Sequence, residues 1–163
     1  MPCEKLLDFL KEREVAFEMI VHPQAYTAQE IADRSHISGK QFAKTVMVKL
    51  DGKMAMAVLP ASKRLNFTLL KQVANAQEIT LAAEQEFKDM FPDCDLGAMP
   101  PFGNLYGLEV YVAGSLGEVG EIAFNAGTHT ELIKMSYQDF ERIVQPKIAR
   151  FSYHEPQEQL DDR

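Results

Sequence analysis

Three short segments hold the residues whose types and spacing can do chemistry: Lys44 at the head of Thr45-Val46-Met47-Val48, the loop Gly97-Ala98-Met99-Pro100-Pro101-Phe102-Gly103, and Phe124-Asn125-Ala126-Gly127-Thr128-His129-Thr130-Glu131-Leu132-Ile133. In the loop each proline fixes φ and removes an N–H, while the flanking glycines tolerate φ > 0 and let a ligand approach the main chain. The surviving amides near Gly97 and Ala98 can then face a carbonyl or phosphate oxygen. The same composition also serves as a plain tight connection. Lys44 would stand where a strand begins, its ammonium able to reach a groove, or would act there as a strand-edge charge against mispairing. Gly127 allows a sharp bend beside Thr128 and His129, although a lone histidine is as often structural. Conventional nucleophilic machinery is missing: there is no G-x-S-x-G elbow, and Ser115 in Gly114-Ser115-Leu116-Gly117 reads as a turn residue. Cys3 and Cys94 lie far apart with no C-x-x-C and no histidine at metal-ligand spacing, so they read as two ordinary free thiols and no metal is expected.

These segments need a scaffold, and the pattern around them supplies a mixture of helices and strands without a repeated βα unit. Leu6-Leu7 with Phe9-Leu10 gives an amphipathic first helix, and Phe17 to Val21 a short strand. Thr27-Ala28-Gln29-Glu30 fits a capping box, which starts a second helix running to about Ser35. Lys44 to Leu50 and Met54 to Leu59 are apolar runs separated by Asp51-Gly52, a strong hairpin signal. Leu65 to Val73 and Ala83 to Met90 read as helices. Strands are expected at Glu109 to Val112, Glu121 to Phe124 and Glu131 to Met135. A late helix runs from Ser136 toward Val144, and Ile148 to Phe151 returns as a last strand.

With 163 residues and 46% hydrophobic content the chain suits one compact domain, 1–153, followed by a polar, acidic tail, 154–163, expected to fray. No apolar stretch approaches the ~20 residues that span a bilayer, and Met1-Pro2-Cys3-Glu4-Lys5 lacks a signal-peptide pattern, so a cytoplasmic protein without a membrane partner is expected. Nothing predicts a symmetric interface, and monomer is the default. The net charge of −7 argues against a nucleic-acid partner, but its distribution does not. Residues 40–71 hold Lys40, Lys44, Lys49, Lys53, Lys63, Arg64 and Lys71 against Asp51 alone, a net +6 that leaves −13 for the rest. Such asymmetry marks either a polyanion-binding face or lysines solvated on opposite faces.

In order and spacing the three segments resemble the YbaK/EbsC family, the editing domain associated with prolyl-tRNA synthetase, which hydrolyses wrongly charged aminoacyl-tRNA. A fourth segment, His22-Pro23-Gln24-Ala25-Tyr26-Thr27-Ala28-Gln29-Glu30, resembles the family's first motif, so the likeness runs from about His22 to Phe151. The resemblance implies a single α+β domain with a mixed, strongly curved sheet. It further implies an aminoacyl-tRNA deacylase that needs neither metal nor organic cofactor, with tRNA as partner and a synthetase as a possible second one. Lys44 corresponds to the family's functional lysine, implied to hold the terminal phosphate or ribose of the substrate. Gly97 and Pro101 correspond by spacing to the family's Gly-x-x-x-Pro loop, a backbone wall at the scissile carbonyl with Gly97 and Ala98 amides as oxyanion donors, while Met99, Pro100 and Phe102 shape the pocket or pack beneath it. His22, Tyr26 and Thr27 match the first motif. Gly127, Thr128 and His129 would border the amino acid, with His129 in specificity or orienting water. Some relatives carry an aspartate where this chain has Thr128-His129-Thr130, which leaves the substrate subgroup undetermined.

An aminoacyl ester is already activated, so an anchor, oxyanion donors, an ordered water and a selective pocket suffice. Two other readings fit the same residues: a module that grips the tRNA acceptor end without catalysis, and a binder or hydrolase of a small aminoacyl ester.

Overall fold

The computed structural model describes residues 3–25 and 27–153. The elements follow the order α1 (Glu4–Glu12), β1 (Phe17–Val21), α2 (Ala28–Ser35), β2 (Ala43–Leu50), β3 (Lys53–Pro60), β4 (Arg64–Leu65), α3 (Phe67–Val73), β5 (Ile79–Leu81), α4 (Glu84–Phe87), β6 (Glu109–Ala113), β7 (Glu121–Thr128), β8 (Glu131–Ser136), α5 (Tyr137–Val144), β9 (Lys147–Ala149) and β10 (Ser152–Tyr153). The fold is α+β, with two main sheets and a separate antiparallel pair of β4 and β10. One is five-stranded in the order β5-β2-β3-β6-β9, antiparallel at β5-β2 and β2-β3 and parallel at β3-β6 and β6-β9. The other is a three-stranded antiparallel sheet, β1-β8-β7. They meet at a parallel bridge between Phe42 and Ala123, where the Ala123 N–H donates to the Gln41 carbonyl at 3.1 Å.

The near-continuous apolar run of β2 and β3 is explained by burial of the sheet on both faces, the pattern that buried strands carry. Ala43, Met47, Met56 and Val58 join the main core between the sheets, with Leu6 and Leu10 of α1 and Phe140 and Ile143 of α5. Val48, Leu50, Ala57 and Leu59 face the opposite way, onto Leu70 of α3 and Phe151. A third cluster lies outside the three-stranded sheet, where Ile31 and Ala32 of α2 cover Ala123 and Leu132. The hairpin turn has positive φ at both central residues, 52° at Asp51 and 83° at Gly52, as a type I′ connection requires. The capping box of α2 forms as expected: Thr27 Oγ1 accepts from the Glu30 N–H at 3.0 Å and Glu30 Oε1 accepts from the Thr27 N–H at 3.3 Å.

The structure redraws three elements. The expected helix from Leu65 starts at Phe67, because Asn66 caps it by accepting from the Leu69 N–H at 3.0 Å, and Arg64–Leu65 pair with β10 instead. The expected helix Ala83 to Met90 is one turn, Glu84–Phe87, followed by a 3₁₀ turn, Lys88–Met90. The expected last strand, Ile148 to Phe151, splits into β9 and β10, because Phe151 turns inward and is fully buried in the second core. The acidic tail lies outside the described residues. Among the described residues no helix is long and apolar enough to cross a membrane.

Candidate active site

Lys44 is the second residue of β2, cross-strand from Leu59, and on the sheet face that carries Val46 and Val48. The half-buried side chain lines a cleft of about 610 Å³ that reaches to the start of α3. Thr27, Ser62, Lys63 and Arg64 line it as well, over an apolar floor of Val46, Leu65 and Phe67. Lys63 also lines a neighbouring cavity of about 210 Å³ with Lys40 and Ser115. The basic segment is therefore divided: Lys40, Lys44, Lys63 and Arg64 converge, whereas Lys49 is engaged by Glu86 at 2.6 Å and Lys53 lies at the hairpin. Three cations with the hydroxyl-bearing Thr27, Ser62 and Tyr153 over an apolar floor form a surface suited to a phosphate with an adjoining base or sugar.

The glycine–proline loop is latched to the β7–β8 turn. The Asp95 N–H donates to the Gly127 carbonyl at 2.7 Å, and the Gly127 N–H to the Ala98 carbonyl at 3.0 Å. His129 Nε2 closes the latch, donating to the Leu96 carbonyl at 3.0 Å. The His22 N–H then ties the first motif to the same turn through the Thr130 carbonyl at 2.8 Å. Thr128 Oγ1 donates to Glu131 Oε1 at 3.0 Å across the turn. Gly97 is exposed with φ +87°, and Gly127 is buried with φ +103°, so both use conformations that other residues resist. At Gly127 a Cβ would also lie 3.0 Å from Cys3 Cβ and 3.1 Å from the Cys3 nitrogen.

The two amides expected as oxyanion donors differ. The Gly97 N–H is directed at the Met99 thioether, 3.2 Å away, which is a weak acceptor and easily exchanged. The Ala98 N–H is already spent on the Asp95 carbonyl at 3.0 Å and the residue is fully buried, so Ala98 is not an open donor.

Met99, Pro100, Pro101 and Phe102 are all buried and shape the loop from beneath. Phe102 in particular is a core residue, its ring 5.3 Å from that of Phe124, 5.4 Å from Phe140 and 6.1 Å from Phe9, which excludes a substrate contact. His22 is only 5% exposed, with Nδ1 2.7 Å from the Pro23 carbonyl, and its ring holds the turn instead of lining the cleft. Thr27 does line it. Tyr26 lies outside the described residues.

Sequence reasoning placed Lys63 and Arg64 in the basic segment without assigning them to the cleft, and missed Ser62 and Phe67 altogether. The adjacent pair Lys63-Arg64 was the available signal, but its direction depends on the Ala61–Ser62 turn after β3. The two cysteines are free, as expected, but folding makes them neighbours. Cys3 Sγ donates to Asp93 Oδ2 at 3.0 Å and lies 3.3 Å from the Tyr106 hydroxyl, which is 3.8 Å from Cys94 Sγ. A hydrogen bond from the Cys94 thiol brings the Cys3 thiol down to about 7, and the same shared proton, with burial, pushes Cys94 upward.

The described residues thus present a cationic cleft at Lys44 and, held by the latch, a backbone loop with an exposed Gly97. Residues 22–143 match the aminoacyl-tRNA editing domain family, and the chain belongs to that family. It is 26% identical over 153 residues to the multifunctional Ser/Thr-tRNA deacylase ProXp-y of Escherichia coli K12, covering 91% of each chain. A proline–tRNA ligase of Bacillus mycoides is 24% identical over 99 residues, which is 61% of this chain but 17% of that longer enzyme. Among solved structures, one described as a candidate trans-editing enzyme for prolyl tRNA synthetase superposes with TM-score 0.81 at 16% identity, covering 93% of this chain and 96% of the other. Another, of a hypothetical protein, gives TM-score 0.82 at 20% identity, covering 91% and 99%. The last two show the fold.

Proposed function

We infer that this protein is a trans-editing aminoacyl-tRNA deacylase, hydrolysing the ester between a wrongly attached amino acid and the terminal ribose. The observation that supports this reading is the latch, which ties His22 of the first motif, the Gly97 loop and the His129 turn together, while Thr27 of the same motif lines the cleft with Lys44. Lys44, with Lys63 and Arg64, anchors the terminal nucleotide as a fixed positive charge and needs no deprotonation for that task. Water attacks the carbonyl, the Gly97 N–H leaves the thioether for the developing oxyanion, and the ribose oxygen departs with a proton. Such a donor is worth about 100-fold or more when preorganised, which suffices for an ester that is already activated. His129, held to Leu96, bounds the amino-acid side chain. The likeness to a Ser/Thr-tRNA deacylase favours small hydroxylated amino acids, and tRNA with a synthetase are the partners the family supports.

The experiment measures release of amino acid from tRNA charged separately with alanine, serine, cysteine, threonine and proline. Cleavage of at least one noncognate ester, with a loss of about 100-fold or ~2.7 kcal/mol in Lys44→Ala, is expected. The converging cations also fit a module that binds the acceptor end without catalysis. That second reading prevails if native protein and variant are equally inert on every ester while tRNA still binds.

A further inference from the structure

We propose that Cys3, Asp93 and Cys94 form a binding site for a thiophilic divalent cation of the zinc class, fastening the start of α1 to the turn that leads into the Gly97 loop. The two sulfurs and a carboxylate oxygen all lie within 4.8 Å of one another. Tetrahedral zinc with bonds of about 2.3 Å to sulfur and about 2.0–2.2 Å to oxygen holds its ligand atoms roughly 3.3–3.8 Å apart, so closure needs shifts of about an ångström or less. Asp93 converges on the sulfurs, accepting from Cys3 at 3.0 Å, with Cys94 Sγ 3.9 Å from its other oxygen. Two thiolates select a soft d¹⁰ ion over magnesium or calcium. Binding exchanges the two thiol protons for one M²⁺, releasing two H⁺. Two thiolates, one carboxylate and M²⁺ sum to −1. The Lys5 ammonium, 4.7 Å from the centroid of the Tyr106 ring, offsets that charge.

Tyr106 completes the surroundings, its hydroxyl 3.3 Å from Asp93 Oδ1 and within 3.3 and 3.8 Å of the two sulfurs, where it can orient them or border a fourth, water-filled position. A cleft of about 690 Å³ bordered by Lys5, Asp93 and Tyr106 gives access. The position behind the loop is also specific. The Cys3 N–H donates to the Ala126 carbonyl at 2.8 Å, and Asp95, next to Cys94, donates to Gly127. A cation here closes a loop from the chain's beginning to the latch and stiffens the backbone that presents Gly97.

Cobalt(II) titrated into the reduced full-length protein is the probe. The expected result is a sulfur-to-cobalt charge-transfer band that saturates at one equivalent and collapses when zinc is added. Cys94→Ser, at a half-buried position, should fold, lose the band and bind zinc about 100-fold or more weakly, since even outer-sphere changes cost 10–100-fold. Asp93→Asn should keep a weakened band. Zinc should raise the Tm of the native protein but not of Cys94→Ser. Absence of the band in reduced native protein overturns the proposal, as does its survival in Cys94→Ser. Closure of the thiols to a disulfide, with no cobalt uptake after re-reduction, also overturns it.

Discussion

Replacing Gly127 by alanine tests whether the latch depends on close backbone approach. Three glycines with positive φ form a graded series: Gly52 at 83°, Gly97 at 87° and Gly127 at 103°. A Cβ at Gly52 meets nothing within 4 Å, one at Gly97 meets only His129 Cε1 at 3.6 Å, and one at Gly127 meets Cys3 Cβ at 3.0 Å and its backbone nitrogen at 3.1 Å. The left-handed conformation costs alanine about 1–2 kcal/mol, offset by roughly 0.4–1 kcal/mol from the stiffer unfolded chain. Gly52→Ala and Gly97→Ala should therefore each lose about 1 kcal/mol. Gly127→Ala adds an overlap with backbone that cannot rotate away, worth about 1–3 kcal/mol, and strains the Asp95 and Ala98 hydrogen bonds at about 1 kcal/mol each. The expected total is about 4–6 kcal/mol. Urea unfolding of the three variants gives the comparison directly, because a shift in midpoint without a change in slope reads as stability. Deacylation by Gly127→Ala should fall even under conditions where it is fully folded, because Gly97 is no longer held. If Gly127→Ala costs no more than Gly52→Ala, the close approach to Cys3 is not a constraint and the latch does not depend on it.

Lys63→Ala with Arg64→Ala should weaken tRNA binding and flatten its logarithmic salt dependence by about 0.7 for each phosphate of the single-stranded acceptor end left without a cation, read by filter binding across a salt series. Lys49→Ala should leave that slope unchanged, since Glu86 already engages this lysine. Phe102→Ala empties the centre of the aromatic core and should cost about 3–5 kcal/mol by urea unfolding, while any of the variant that is folded keeps its tRNA affinity. The Glu109 carboxyl is held below its usual range chiefly by the hydrogen bond from Lys147, at 2.9 Å. Its unfolded pKa is the higher one, so its contribution is present above the ordinary glutamate range and fades as pH falls through the lowered native value. The small stability difference between native protein and Lys147→Met should accordingly vanish in strong acid in a pH series of unfolding curves.

What neighbours along the chain settle was legible before folding. Asp51-Gly52 specified a hairpin because its two positive φ angles match the twist of the flanking strands, and Thr27 with Glu30 specified a helix start because the pair satisfies amides within one turn. The prolines and glycines of residues 97–103 marked a shaped loop, and the family resemblance singled out Lys44. Tertiary structure decided which of these groups are available. Only folding shows the Ala98 N–H spent on Asp95, Phe102 turned into the core and His22 closed onto Pro23. Only folding brings Lys63 and Arg64 beside Lys44 and sets Cys3 against Asp93 and Cys94. The division is physical: capping and turn geometry are settled within a few residues by local torsions and hydrogen bonds. Convergence of distant side chains depends on how two sheets meet at the Phe42–Ala123 bridge, which no local pattern encodes.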